Sequence, residues 1–364
     1  MPGDAEGGAA DRAQPACACA PPLVLAARYR LRVDGTKDAA QGSFLADRVK
    51  IAAIPGLSAG TSRHGARAFA GTEDRPAAGL APYRIASLTK PFTSAAAVLA
   101  LTSRGIPLSA PAVELLPSLA ADWRANPAIT VAQLLGQVSG LRETVDSRVL
   151  IAAGISDGTG AIEEAARLVV LAGSERVPGE RWAYYNGNYF IVGAILEAVT
   201  GLAYEEAVEQ TVMSPWGLGR TGFGTPDAPV TGYDSGSPVP TGGFPRARRP
   251  SGGLWSCAAD LIAFAERLLS TPALFEEIRR PRTRPSDAMT YGLGWAVGPS
   301  GQLYLNGRLP GYRTAFLLSP AHDYASVALA SQTDALPAVA HLLSELQQPL
   351  TGDDLSYEIN AFAA

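Results

Sequence analysis

An α/β sandwich, with an antiparallel sheet flanked by helices and a mainly helical domain inserted between the two halves of the sheet, is the fold class this 364-residue sequence predicts. Three observations lead there. Strand-like text lies towards both ends of the chain, and helical periodicity fills its middle. Apolar residues make up 47% and charged residues 18%, with mean hydropathy +0.08, which supplies a real core and excludes a disordered tail or a coiled coil. The resulting division is an Ala/Pro/Gly-rich segment over 1–45, a sheet domain from 46–85 plus 251–364, and a helical domain over 86–250.

The elements follow in order. From Ile51 to Thr72 the spacing predicts an antiparallel hairpin with its reversal between Gly60 and Gly65. Residues 86–105 form an apolar helical run that Gly105 and Pro107 close. TVAQLLGQ, AIEEAARLVVLAG and YFIVGAILEAVTG repeat their apolar residues near the 3.6 period, as does AADLIAFAERLLS beyond a Pro/Gly-rich loop. Strand character then returns at Tyr291–Val297, Gln302–Leu305, Thr314–Ser319 and Ala325–Ala330, and Pro337–Leu346 closes as a helix.

Charge and rare residues narrow the chemistry. Thirty basic against 34 acidic residues leave −4, with no basic block beyond Arg246, Arg248 and Arg249, which speaks against nucleic acid as a partner. No run of 18 apolar residues suggests a membrane span, and Asp4, Glu6 and Asp11 stand where an export signal would be basic, so a cytoplasmic location is expected. Cys17, Cys19 and Cys257 with His64, His322 and His341 make neither a disulfide framework nor a metal centre. Neither a metal nor an organic cofactor is expected. Only three of the basic residues are lysine: Lys37, Lys50 and Lys90. Lysine can give up its proton when buried and arginine cannot, so a retained lysine stands out.

Ser87 and Lys90 straddle a predicted helix N-terminus, with Pro91 suited to the first turn. Residues three apart share a helical face, so an amine at 90 can take the hydroxyl proton at 87 if burial leaves it neutral. On its own the tetrapeptide reads as readily as a capping serine beside a solvated lysine. Tyr184 and Asn186 lie in a loop before a helix, where a phenol can relay a proton and an amide can hold a lysine or a substrate carbonyl; core packing is the plainer reading. In LYLNGRLPGYRTAF, Gly307 lets a strand edge be approached closely, and the N–H that follows can pair with that of Ser87 as an oxyanion hole. An ordinary hairpin around Pro310-Gly311 is the alternative.

Together IASLTKPFTSAAAVL, ITVAQLLGQVSGL, PGERWAYYNGNYFIVGAILEAVTG, GGLWSCAADLIAFAERL, YGLGWAV and LPGYRTAF resemble, in order and approximate spacing, the serine β-lactamase-like superfamily, in its class C β-lactamase, DD-peptidase and esterase or transacylase branch. The resemblance covers about 46–335. It implies Ser87 as acylated nucleophile, Lys90 as its base, Tyr184 as proton shuttle and Asn186 as a substrate contact. It also implies substrate binding at Asn306, Gly307 and Arg308, and an oxyanion hole from the N–H groups of Ser87 and Arg308. Two positions depart from the pattern. Leu305 stands where the family carries Lys or His, which removes a partner for a substrate carboxylate, and Gln137 stands where His is frequent. Arg308 is a candidate replacement charge.

The reading that follows is acyl transfer through a covalent acyl-Ser87 intermediate on a small ester or amide, as transacylase or esterase in secondary metabolism, with a small-molecule donor and acceptor as partners. A β-lactamase or D-amino-acid peptidase and a catalytically silent binding protein on the same fold are the alternatives.

Overall fold

The computed structural model describes residues 39–72 and 79–362. Cys17, Cys19, Lys37 and most of the Ala/Pro/Gly-rich segment lie outside the described residues. That segment's last stretch is helical: α1 spans Ala39–Ala52, where the sequence suggested low complexity followed by a strand. Its apolar positions Leu45 and Val49 are buried four residues apart, one face of a helix that Ala- and Gly-rich neighbours obscure.

The sheet has six strands, β1 (Leu57–Arg63), β2 (Ala66–Gly71), β3 (Ala296–Val297), β4 (Leu303–Leu309), β5 (Tyr312–Ser319) and β6 (Tyr324–Ala330), in the order β2-β1-β6-β5-β4-β3. Every pairing is antiparallel. Thus the N-terminal hairpin joins the C-terminal strands through β1 and β6, with Gly60 opposite Val327. The hairpin turns at His64 and Gly65, both at positive φ (49° and 76°), as a tight two-residue reversal requires. Gly60, expected within the reversal, instead lies inside β1, because a side chain there would collide with the Phe69 ring.

Helices cover both faces of the sheet, and all seven residues of β6 are buried. α1 and the closing helix, Leu336–Thr351, pack beside β2, β5 and β6, while Ala258–Leu269 lies against β1 and β6. Between this layer and the helical region runs α2 (Thr89–Thr102), buried around nearly its whole circumference. Phe92 of α2 stacks on Phe264 with ring centroids 4.1 Å apart, and Phe264 reaches Phe316 of β5. That aromatic column ties α2 to the sheet. On its other side α2 packs against α3 (Gly187–Thr200), the YFIVGAILEAVT helix. No helix among the described residues is long and apolar enough to cross a membrane.

One close approach fixes the seam between sheet and helical region. β4 continues through Gly307 to Leu309, past the expected end at Leu305. At Gly307 the strand passes Ile85 and Thr314, and a Cβ would overlap the Ile85 carbonyl and the Thr314 hydroxyl. The Thr314 hydroxyl in turn donates to the Ile85 carbonyl at 3.1 Å. Gly307→Ala is expected to force these apart and lower stability by about 1–3 kcal/mol, the usual cost of overpacking. An unchanged urea midpoint would refute the close contact.

Candidate active site

Ser87 sits in a single 3₁₀ turn, Ala86–Leu88, that runs directly into α2. Ala86 is buried and left-handed, φ 51°, an uncommon state for a residue with a side chain. It is held there from both sides. Ile85 donates its N–H to the Leu254 carbonyl at 3.1 Å and accepts from Thr314 and from the Leu88 N–H. The bend brings Ser87 to the surface of a cavity of about 290 Å³, lined by Ser87, Tyr184, Asn186, Arg248 and Arg308 among others.

Lys90, one turn on, is fully buried. Its Nζ lies 3.2 Å from Ser87 Oγ, 2.8 Å from Asn186 Oδ1 and 2.8 Å from the Ser251 carbonyl. Burial alone drives its pKa well below the ordinary lysine value. No carboxylate among the described residues opposes that shift, so the site favours the neutral amine. A neutral amine has two N–H bonds and one lone pair. The two carbonyl oxygens account for the N–H bonds, which leaves the lone pair for the Ser87 hydroxyl.

Tyr184 completes the chain. Its hydroxyl donates to Ser87 Oγ at 2.8 Å. Burial raises the phenol above its ordinary pKa, outweighing the lowering by Ser87 and by the Arg308 charge, so it is a protonated donor at neutral pH. Ser87 Oγ therefore sits between the Tyr184 hydroxyl and the Lys90 amine, within hydrogen-bond distance of both. Asn186 anchors Lys90 through Oδ1 and is itself exposed, leaving its amide Nδ2 towards the cavity side of the loop.

The Tyr184 loop owes its shape to Gln137. That residue is buried at φ 61°; its carbonyl accepts from Ala183 N–H at 2.9 Å, and its Oε1 accepts from Tyr185 N–H at 3.0 Å and Asn188 Nδ2 at 2.6 Å. Gln137 Nε2 is buried without a partner. A side-chain carbonyl gripping one donor of the loop and one of the first turn of α3 is what this position supplies.

The third segment differs from expectation. Asn306 is buried and donates through Nδ2 to the carbonyls of Ile359 (2.5 Å) and Phe362 (3.0 Å), and Arg308 Nη2 donates to those of Asn360 (2.5 Å) and Phe362 (3.1 Å). Both side chains, expected to meet substrate, are spent on the chain's own helix Ser356–Ala361 and the residue after it. Phe362 sets its ring edge-on to Tyr184 at 5.3 Å and stacks on Tyr291 at 5.9 Å. Leu305, at the position where the resemblance implied a cation, is buried, and the charge that reaches Tyr184 is that of Arg308.

The main chain of Arg308 keeps its expected opportunity. Leu309 and Tyr312 close a two-residue turn, and Arg308 pairs with Arg313. In an antiparallel ladder the pair next to the hydrogen-bonded one is non-bonded, so the Arg308 N–H points away from β5. On that side β3 pairs only with Leu303 and Tyr304, leaving the N–H outside the ladder.

Sequence reasoning missed the Ser251 carbonyl, Gln137 as loop clamp, and Phe362. The first two act through generic oxygen acceptors and give no residue-type signal. Phe362 follows a helix, Ser356–Ala361, too short for a periodicity to register.

A helix-wrapped antiparallel sheet with a serine, a desolvated lysine and a tyrosine hydrogen-bonded at its seam defines the β-lactamase and transpeptidase fold. The chain belongs to the Beta-lactamase family, whose profile residues 43–346 match. Esterase EstB of Burkholderia gladioli is 29% identical over 258 residues, covering 59% of this chain and 65% of EstB. Protein flp of Staphylococcus aureus is 24% identical over 266 residues, 68% of this chain and 52% of flp. The chain spans about half the length of the first curated relatives it matches. Among solved structures, EstCE1, a hydrolase with promiscuous acyltransferase activity, superposes with TM-score 0.65 at 22% identity, covering 81% of this chain and 95% of EstCE1.

A buried amine held neutral has a thermodynamic signature. The unfolded chain binds a proton at Lys90 below its ordinary pKa and the folded chain does not, so stability rises with pH between the lowered folded value and about 10.4. Thermal unfolding of wild type and Lys90→Met is expected to show wild type gaining relative stability from pH 7 to pH 10. A constant difference would mean Lys90 is charged in the fold.

Proposed function

We propose that the chain catalyses acyl transfer through an ester on Ser87, taking the acyl group from a small ester or amide and passing it to water or another nucleophile. The observation that carries this reading is the Ser87 hydroxyl placed between a neutral amine at 3.2 Å and a protonated phenol at 2.8 Å. Lys90 takes the hydroxyl proton as Oγ attacks the carbonyl carbon. The N–H groups of Ser87 and Arg308 face the oxyanion that forms. Tyr184 gives its proton to the leaving atom and recovers one from Lys90, so acylation releases the leaving group protonated. Deacylation reverses these roles: the acceptor loses its proton to the same pair, bonds to the acyl carbon, and Ser87 leaves as the hydroxyl.

Esterase or transacylase work on uncharged ester or amide linkages is favoured over β-lactam hydrolysis by one feature, the apolar Leu305 with Asn306 and Arg308 committed to main-chain carbonyls. The cavity volume suits a small acyl group. EstB and EstCE1, an esterase and a hydrolase with acyltransferase activity by name, support the same class. A role in secondary metabolism and small-molecule donor and acceptor partners belong to this proposal.

Intact-mass spectrometry after incubation with 4-nitrophenyl butyrate is the test. An adduct of one butyryl group is expected on wild type and on no Ser87→Ala protein. Lys90→Arg is expected to cut the acylation rate by about 10²–10⁴, since guanidinium does not accept the proton. Acylation that persists in Ser87→Ala would overturn the assignment.

A further inference from the structure

The cavity at Ser87 is lined by two arginines and two carboxylates, and three of the four are already engaged. Glu143 accepts from Arg176 Nη2 at 2.7 Å. Asp146 caps the following helix, accepting the N–H groups of Arg148 at 2.8 Å and Val149 at 3.0 Å. Arg308 is spent on the Asn360 and Phe362 carbonyls. Arg248 is different. Its guanidinium lies over the Phe244 ring, 4.9 Å from the centroid, and no carboxylate among the described residues comes within ion-pair distance of it. Its neighbours Arg246 and Arg249 both pair with Glu205, and Arg246 pairs with Glu197 as well, so these acids are occupied.

The placement of Arg248 follows from the same segment that fixes the base. Ser251, whose carbonyl accepts from Lys90, donates its own hydroxyl to the Arg248 carbonyl at 3.0 Å. The turn that positions Lys90 thus also sets Arg248 on the cavity wall. Its aromatic support holds the planar fork in one orientation, which lowers the cost of forming two parallel hydrogen bonds to a planar anion. A half-buried guanidinium left without an anion is costly, and partial burial lowers its pKa accordingly.

We propose that Arg248 is a specificity-determining residue of this cavity, which binds a carboxylate carried by the acyl donor. The cavity thus draws a cation from a segment of the chain other than the one that carries Leu305. This inference rests on Ser87 being the acylated residue, and the comparison below separates the two.

The experiment measures kcat/KM of the purified chain for two esters of equal length, the half-ester 4-nitrophenyl adipate and the neutral 4-nitrophenyl hexanoate. Wild type is expected to favour the carboxylate by at least ~10-fold, a ratio that falls as salt is added. Arg248→Gln is expected to bring the ratio close to one. Arg248→Lys, which keeps the charge and loses the fork, is expected to fall between, and it decides the matter if Arg248→Gln does not fold. A wild-type ratio near one, or a high ratio that both variants retain, overturns the proposal while acylation of Ser87 stands. Failure of both esters to acylate Ser87 overturns the underlying reading, and this inference with it.

Discussion

The burial of one amine governs the rest of the site. Removing a lysine ammonium from water costs several kcal/mol unless a counter-charge is supplied, and the fold supplies none at Lys90. Burial therefore pushes its pKa down and favours the neutral amine. Its immediate surroundings are two carbonyl oxygens, the Ser87 hydroxyl, and the Tyr184 and Tyr189 rings at 4.8 and 5.3 Å. A residue that would be an inert surface cation elsewhere becomes a base because α2 is wrapped on all sides.

Holding the amine there requires three distant segments to meet. α2 brings Ser87 and Lys90, the loop before α3 brings Tyr184 and Asn186, and the turn at 249–252 brings the Ser251 carbonyl. Local strain collects at the junctions. Ala86 and Gln137 are both left-handed without being glycine, and Gln137 leaves a buried N–H₂ unpaired. Such departures cost of order 1–3 kcal/mol each and persist only where surrounding contacts fix them. Here they turn the serine outward and grip the tyrosine loop. The helix Ser356–Ala361 and Phe362 add a further wall, taking the hydrogen bonds of Asn306 and Arg308 and shielding Tyr184 from water.

The sheet-and-helix architecture was legible in the sequence because strand alternation and helical period are local signals. The hairpin at 57–71 and the strands at 312–319 and 324–330 fell where expected, and the antiparallel pairing joined the chain's two ends. Ser87, Lys90, Tyr184 and Asn186 also came together as the motifs implied, since each carries a distinctive residue type. The fate of Asn306 and Arg308 was not legible. Side-chain amides and guanidinium groups bind main-chain carbonyls as readily as substrates, and nothing local says that residues 359–362 fold back to meet them. β4 was read short for a related reason: Gly307 looks like a strand breaker until its closeness to Ile85 and Thr314 is seen.

The account's central claim is that the Lys90 amine is uncharged at neutral pH, and the scarcity of lysine makes it directly measurable. With only three lysines, a sample labelled with ¹³C at lysine Cε shows few signals, and Lys90→Met identifies the one that matters. Titration by NMR is predicted to show the signal that is lost in Lys90→Met changing well below the ordinary lysine value of about 10.4. A Lys90 transition near about 10.4 would contradict the claim.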